Sequence, residues 1–147
     1  MSMKFEEDEK FSTLDLSTID LYTGKASFIK VGAAASFIKR GDKIKKISSN
    51  MPPFGLMDKV LVESVEENLK GGDIIITLSD GVLDVDKDGV GDSAWLEKYL
   101  KGKGNNPREL VEDILEESKK INNGTIKDDM SIIAVSYTHL RAHETRS

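Results

Sequence analysis

Cysteine is absent from the 147 residues, which excludes disulfides and thiolate metal sites and fits a reducing compartment. Histidine is almost as scarce, and both copies, His139 and His143, fall close to the C-terminus. Before them no imidazole is available as the base of a Ser-His-Asp triad, and no Gly-x-Ser-x-Gly elbow occurs. A P-loop and a Gly-x-Gly-x-x-Gly fingerprint are missing too; Gly32 to Ala35 is small rather than phosphate-cradling. Excess positive charge is also lacking: 21 Lys and Arg face 26 Asp and Glu, a net charge of −5. Phosphate backbones are bound by clustered basic residues, so nucleic acid is not an expected partner. No apolar run approaches membrane-spanning length. The start, Met1 to Lys10, is acidic rather than basic-then-apolar, unlike a signal peptide. What remains is an expectation of a soluble, cytoplasmic chain with no membrane contact, forming one domain or a piece of one.

Two stretches organise what is present. Ile74-Ile75-Ile76-Thr77-Leu78 stops abruptly at Ser79-Asp80-Gly81, and Asp128-Asp129 opens through Met130-Ser131 into Ile132-Ile133-Ala134-Val135. Short isoleucine-rich runs bounded by turn residues read as buried strands. One carboxylate follows its strand and the other precedes its own. If these strands lie antiparallel in one sheet, Asp80 and Asp128 reach the same edge. Oxygen ligands without sulfur or imidazole suit a hard cation such as Mg²⁺ or Mn²⁺, although two acids do not complete a divalent site. Taken singly, each motif is also an ordinary turn, since Asp and Gly are turn formers.

Upstream, Phe11 to Tyr22 reads as a strand in which Leu14 and Leu16 share one face while Ile19 and Leu21 have the opposite parity. Either a bulge intervenes or both faces are covered. Tyr22-Thr23-Gly24-Lys25 is a hairpin turn, Ala26 to Val31 returns, and Arg40-Gly41-Asp42 joins Ser36–Lys39 to Lys43–Ile47. These segments are expected to form an antiparallel meander. The lysines around the second turn form either a solvated hairpin or a surface for an acidic partner. Ser48 to Met57, with Pro52-Pro53, should run over the surface or a cleft rim. Val60 to Val65 resumes the alternation, and Lys70 to Asp73 turns into the isoleucine run.

Helical sequence comes late. Asp92 or Ser93 can cap a helix from Ala94 to about Lys101 with Trp95, Leu96 and Tyr99 inward. A second helix has Asn106 at its N-cap, Pro107 at its first position and Glu109 three after the cap. Leu110, Val111, Ile114 and Leu115 form its stripe, and Asn123-Gly124 ends it. Strands, two helices and a last strand make an α+β layout, mainly antiparallel sheet with helices packed on it. Asp84-Val85-Asp86-Lys87-Asp88-Gly89 matches half of a calcium loop, but Trp95 stands where the bidentate Glu belongs, so the motif fails. From about Thr138 the patterning is abandoned; residues 138–147 resemble a translated vector read-through and are set apart from 1–137.

Together, Phe11 to Leu16, Ile19 to Gly24, Ser36 to Gly41, Pro53 to Leu56, Ser79 to Asp84 and Ile126 to Ser131 resemble, in order, the phosphatase domain of the stage II sporulation protein E family. That family falls within the metal-dependent type 2C serine/threonine phosphatases. The resemblance implies a partial α-β-β-α sandwich with a bimetal centre at one end. It assigns Asp80 and Asp128 as metal ligands, Asp129 to the outer shell, and Gly81 to a tight turn beside the metals. Two Mn²⁺ or Mg²⁺ ions would activate a water toward phosphorus and offset charge on the transferring group. The implied substrate is a phosphorylated anti-anti-sigma factor, whose dephosphorylation activates a sporulation sigma factor. The whole relative is membrane-anchored with this domain facing the cytoplasm. The family's early acidic motif and switch helices have no counterpart here, so the chain is expected to be the C-terminal part of the domain, weak in metal binding and turnover, with an unpaired sheet edge. Alternatives are a related partner-switching or stress-response phosphatase, and a protein-binding relic without catalysis.

Overall fold

A computed structural model describes residues 12–48, 63–83, 94–122 and 129–138. Among these residues the strands are β1 (Leu14–Ile19), β2 (Lys25–Val31), β3 (Ser36–Arg40), β4 (Lys43–Ile47), β5 (Ser64–Asn68), β6 (Ile74–Leu78) and β7 (Ile132–Ser136). Its helices are α1 (Asp80–Leu83), α2 (Ala94–Leu100) and α3 (Pro107–Ile121). The strands form two antiparallel sheets, ordered β1-β2-β5 and β4-β3-β6-β7. The expected single meander is therefore corrected. Each hairpin forms as read, but the Gly32–Ala35 link carries the chain from one sheet to the other instead of joining neighbouring strands.

Side-chain parity explains the layers. Phe37, Ile74 and Ile76 face one way and pack with Val82, Leu96, Leu100, Leu110 and Ile114 from the helices. Ile38 and Ile75 face the other way and meet Ala26, Phe28, Leu69 and Tyr137 between the sheets. A strand covered on both faces needs apolar residues at consecutive positions, which is why Ile74-Ile75-Ile76 has no polar alternation.

The mixed parity of the first strand resolves without a bulge. Its register runs unbroken from Leu14↔Val31 to Ile19↔Ala26; Ile19 joins the inter-sheet core while Leu14 and Leu16, on the opposite face, are exposed. The strand expected at Val60 begins at Ser64 among the described residues. On α2, Leu96 and Leu100 are the buried pair, with Trp95 and Tyr99 half-buried beside them. On α3 the buried line is Leu110, Ile114 and Ser118, while Val111 and Leu115 are half-buried. The Pro-rich segment, the acidic 84–89 loop, Asn123-Gly124 and both histidines lie outside the described residues.

The α3 cap forms as its sequence indicates: Asn106 Oδ1 accepts from the N–H groups of Arg108 (3.0 Å) and Glu109 (3.2 Å). Asn106→Ala should lower stability by about 1 kcal/mol, read as a shifted urea midpoint at unchanged slope. Gly24 closes the first hairpin at φ 80°, and an added Cβ would lie 2.7 Å from the Leu69 carbonyl oxygen. That approach is required, because Leu69 N–H donates to the Gly24 carbonyl at 2.7 Å. Gly24→Ala should therefore cost about 2 kcal/mol, combining left-handed strain with a backbone clash; a thermal melt within a degree of the parent would contradict this.

The two flanks of the sandwich differ. On one, Lys45 of β4 pairs with Glu67 of β5 at 2.7 Å, tying the sheets together across a charged border. On the other, β7 has no outer strand partner among the described residues. Its Ile133 (61% exposed) and Val135 (45%) stand open on the inter-sheet side.

Candidate functional site

Strand β6 delivers Asp80. It pairs with β7 from Ile74↔Ser136 to Leu78↔Ile132, so the exit of one strand adjoins the entry of the other. Ser79 fastens that junction. Its N–H donates to the Ser131 carbonyl at 2.9 Å, its hydroxyl accepts from the Ser131 N–H at 2.8 Å, and its Oγ lies 3.2 Å from the Asp129 carbonyl oxygen. The chain then turns into α1, with Val82 N–H bonded to the Ser79 carbonyl at 3.1 Å. Asp80 opens that turn exposed, while Gly81 is buried behind it. The expected strand-ending turn is thus a single helical turn.

Of the residues singled out from sequence, Asp80, Gly81 and Asp129 are described, whereas Asp128 lies outside the described residues. The structure brings Asp80 next to the segment holding Asp129, through Ser79 and Ser131. Among the described residues, no group of three or more His, Cys, Asp or Glu side chains is gathered as a metal cluster. Asp80 and Asp129 offer carboxylate oxygens, the donor chemistry that hard divalent cations take.

Sequence reasoning passed over Ser79, placed in the turn after its strand, and Ser131, placed at the entry to the last strand. Their signal was positional: one serine precedes the first acid and another follows the second pair. It also passed over Ser36 and Thr77, whose hydroxyls lie 3.2 Å apart on paired strands at the same rim.

At the opposite end of the sheets, Asp73 accepts from Arg40 Nε at 2.8 Å and Nη2 at 2.6 Å, and from the Lys70 N–H at 2.8 Å. Burial alone would push the Asp73 carboxyl up, but the Arg40 and Lys70 hydrogen bonds and charges outweigh it and hold the group below the usual carboxylate range. The same contact raises the Arg40 guanidinium. Lys39, also buried here, donates to the carbonyls of Gly41 and Lys103 and to Asn105 Oδ1. This end, tied by buried hydrogen bonds, is the rigid base, and Asp80 stands at the opposite rim.

Two stacked antiparallel sheets with helices on one face, as the described residues show, form part of the α-β-β-α sandwich of the PP2C class of phosphatase domain. The structure is similar to the PP2C phosphatase domain, with a fragment of the regulatory domain, of SpoIIE from Bacillus subtilis. The TM-score is 0.80 at 40% identity, covering 87% of this chain and 39% of that one. A Mn-presoaked form of that phosphatase domain matches with TM-score 0.76 and 38% identity, over 88% of this chain and 58% of that one. The RsbU and RsbW domains of Rv1364c from Mycobacterium tuberculosis share the fold at TM-score 0.70 and 19% identity.

A family model described as stage II sporulation protein E (SpoIIE) matches residues 1–138, and the chain belongs to that family. It is 41% identical over 133 residues to stage II sporulation protein E of Bacillus subtilis (strain 168), covering 90% of this chain and 16% of that protein. The same protein of Priestia megaterium is 38% identical, with 90% and 23% covered. The chain therefore spans less than a quarter of these relatives.

Proposed function

We propose that this chain supplies the Asp80 and Asp128 ligands of the metal centre of a PP2C-type protein phosphatase, which hydrolyses phosphoserine on an anti-anti-sigma factor. The observation that carries the reading is the Ser79 clamp. It fixes the strand end before Asp80 against the strand start after Asp128. Bound there, Mn²⁺ or Mg²⁺ would supply charge stabilisation at the phosphoryl group and a water of lowered pKa. Mn²⁺ is the first choice, a solved relative having been presoaked with Mn.

The chain's own contribution is placement. Asp80 is exposed and so reachable by a cation and by a phosphoprotein. Gly81, lacking a side chain, is assigned the tight turn beside the metals. Asp129 takes the second position of the acidic pair and acts from the outer shell on Asp128. Two carboxylates leave a divalent cation short of ligands, so the remaining oxygens come from elsewhere in a complete domain. For the whole protein, the family reading implies membrane anchorage with this domain in the cytoplasm. Residues 138–147 are assigned no part in the function.

The test is phosphate release from a phosphoserine anti-anti-sigma protein by a complete phosphatase domain carrying this sequence, with and without Mn²⁺. Release that needs Mn²⁺ and stops on chelation is expected. Equal release after chelation would end the metal assignment, and a domain that takes up no Mn²⁺ yet binds the phosphoprotein would favour the relic that docks without hydrolysis.

A further inference from the structure

Lysine is rarely buried without a reason, and among the described residues two are buried, Lys30 and Lys39. Lys39 belongs to the rigid base, where it gathers the second hairpin and the α2–α3 connection. Lys30 lies at the other end. It shares the inward face of β2 with Ala26 and Phe28, so its stem runs between the sheets toward the rim that presents Asp80. Its side chain is 2% exposed, and its ammonium donates to both oxygens of Asp15 and to the Ala34 carbonyl, each at 2.8 Å.

The Ala34 contact gives Lys30 a reach beyond its own sheet. Ala34 lies in the Gly32–Ala35 crossover, which contains only small residues with no polar side chain to anchor themselves. Two residues on, Ser36 begins β3; it pairs with Thr77, and their hydroxyls lie 3.2 Å apart. Thr77 stands two residues before Ser79, the residue clamped to Asp129 and Ser131. A continuous series of polar contacts and short covalent steps thus runs from Asp15 through Lys30, the crossover, Ser36 and Thr77 to the strand exit at Asp80.

We propose that Lys30 is a positioning residue for the candidate metal rim: by gripping Asp15 and the Ala34 carbonyl it fixes the sheet-to-sheet crossover, and with it the register in which Ser36 and Thr77 present Asp80 beside the start of β7. This rests on the metal-centre reading above for its purpose but not for its geometry. The alternative is a buried ion pair that merely adds to global stability. The two differ in what happens when the charges are removed together. Lys30→Met alone strands the Asp15 carboxylate, and its effects mix both roles. Asp15→Asn combined with Lys30→Met removes that penalty while the Ala34 carbonyl still loses its donor.

The experiment is amide hydrogen exchange on the double variant and the parent, with thermal melts alongside. At matched global stability, faster exchange by about tenfold or more is expected at Ser79 and Ser131, whose amides donate across the strand junction. Exchange at Leu69 and Tyr137, in the rigid base, should be unchanged. Mn²⁺ affinity of the complete domain should fall about tenfold, the scale of outer-shell losses. Unchanged exchange at Ser79 and Ser131, or acceleration equal throughout the sheets, overturns the proposal whether or not metal binds. Asp80→Asn serves as the separate control: if it leaves Mn²⁺ uptake intact, the metal-centre reading fails while the exchange result still decides the role of Lys30.

Discussion

Replacing Asp80 by asparagine should abolish Mn²⁺-dependent phosphoserine hydrolysis in a complete domain, by about a thousandfold or more, while hardly moving the melting temperature. The activity loss follows from what a carboxylate supplies to a divalent cation. Asparagine keeps the shape but loses the charge, and metal-derived transition-state stabilisation amounts to several kcal/mol, each ~1.4 kcal/mol being tenfold in rate. The small stability effect follows from position. Asp80 is exposed at the start of a single helical turn, and surface substitutions away from special features usually stay within about 0.5 kcal/mol. The discriminating comparison is Ser79→Ala. It removes the hydroxyl contacts to Ser131 and Asp129 without touching a ligand, so it should weaken Mn²⁺ binding modestly and leave saturated turnover closer to the parent. Asp80→Asn retaining a tenth of the activity at saturating Mn²⁺ would remove Asp80 from the metal centre.

Asp80 was visible in the sequence because its signal is local: an isoleucine run that ends at an acid and a glycine. The same holds for β6 as a doubly covered strand, for both hairpins, and for Asn106 as a cap. The division into two sheets was not visible, because a hairpin return and a crossover both begin with a strand followed by small residues. What distinguishes them is the second partner of β3 beside β4, which is β6, some forty residues away, rather than β2. Family resemblance supplied the sandwich where patterning gave a meander. Lys30 and Lys39 were likewise illegible. In a charged sequence a lysine within a strand reads as solvent-facing, and these are buried only because oxygens from distant positions converge on them. Local pattern thus revealed that Asp80 closes its strand, and the contacts that fix that strand end emerged only from non-local pairing.

The largest stability loss is expected at Asp73, far from the acids. Asp73 is 1% exposed, and its neighbourhood joins four strand ends. Its carboxylate holds Arg40 at the end of β3, and Arg40 reaches on to the Asn68 carbonyl at the end of β5. Its own carbonyl accepts from Tyr137 N–H after β7, while the residue begins β6. Asp73→Ala should cost about 3 kcal/mol, the lower end for breaking a buried ion pair, because Arg40 remains 43% exposed and can hydrate when left alone. The pH dependence gives an independent check. The folded carboxyl titrates below its ordinary value of 3.8, so its contribution is complete above that pH and is lost as the pH falls through the lower folded value. Urea melts of the parent and Asp73→Asn should therefore differ most near neutrality and converge as the pH falls below the ordinary value of 3.8 and the folded group takes up its proton. A gap that stays constant across that range would mean that the charge on Asp73 is not what joins the two sheets at their base.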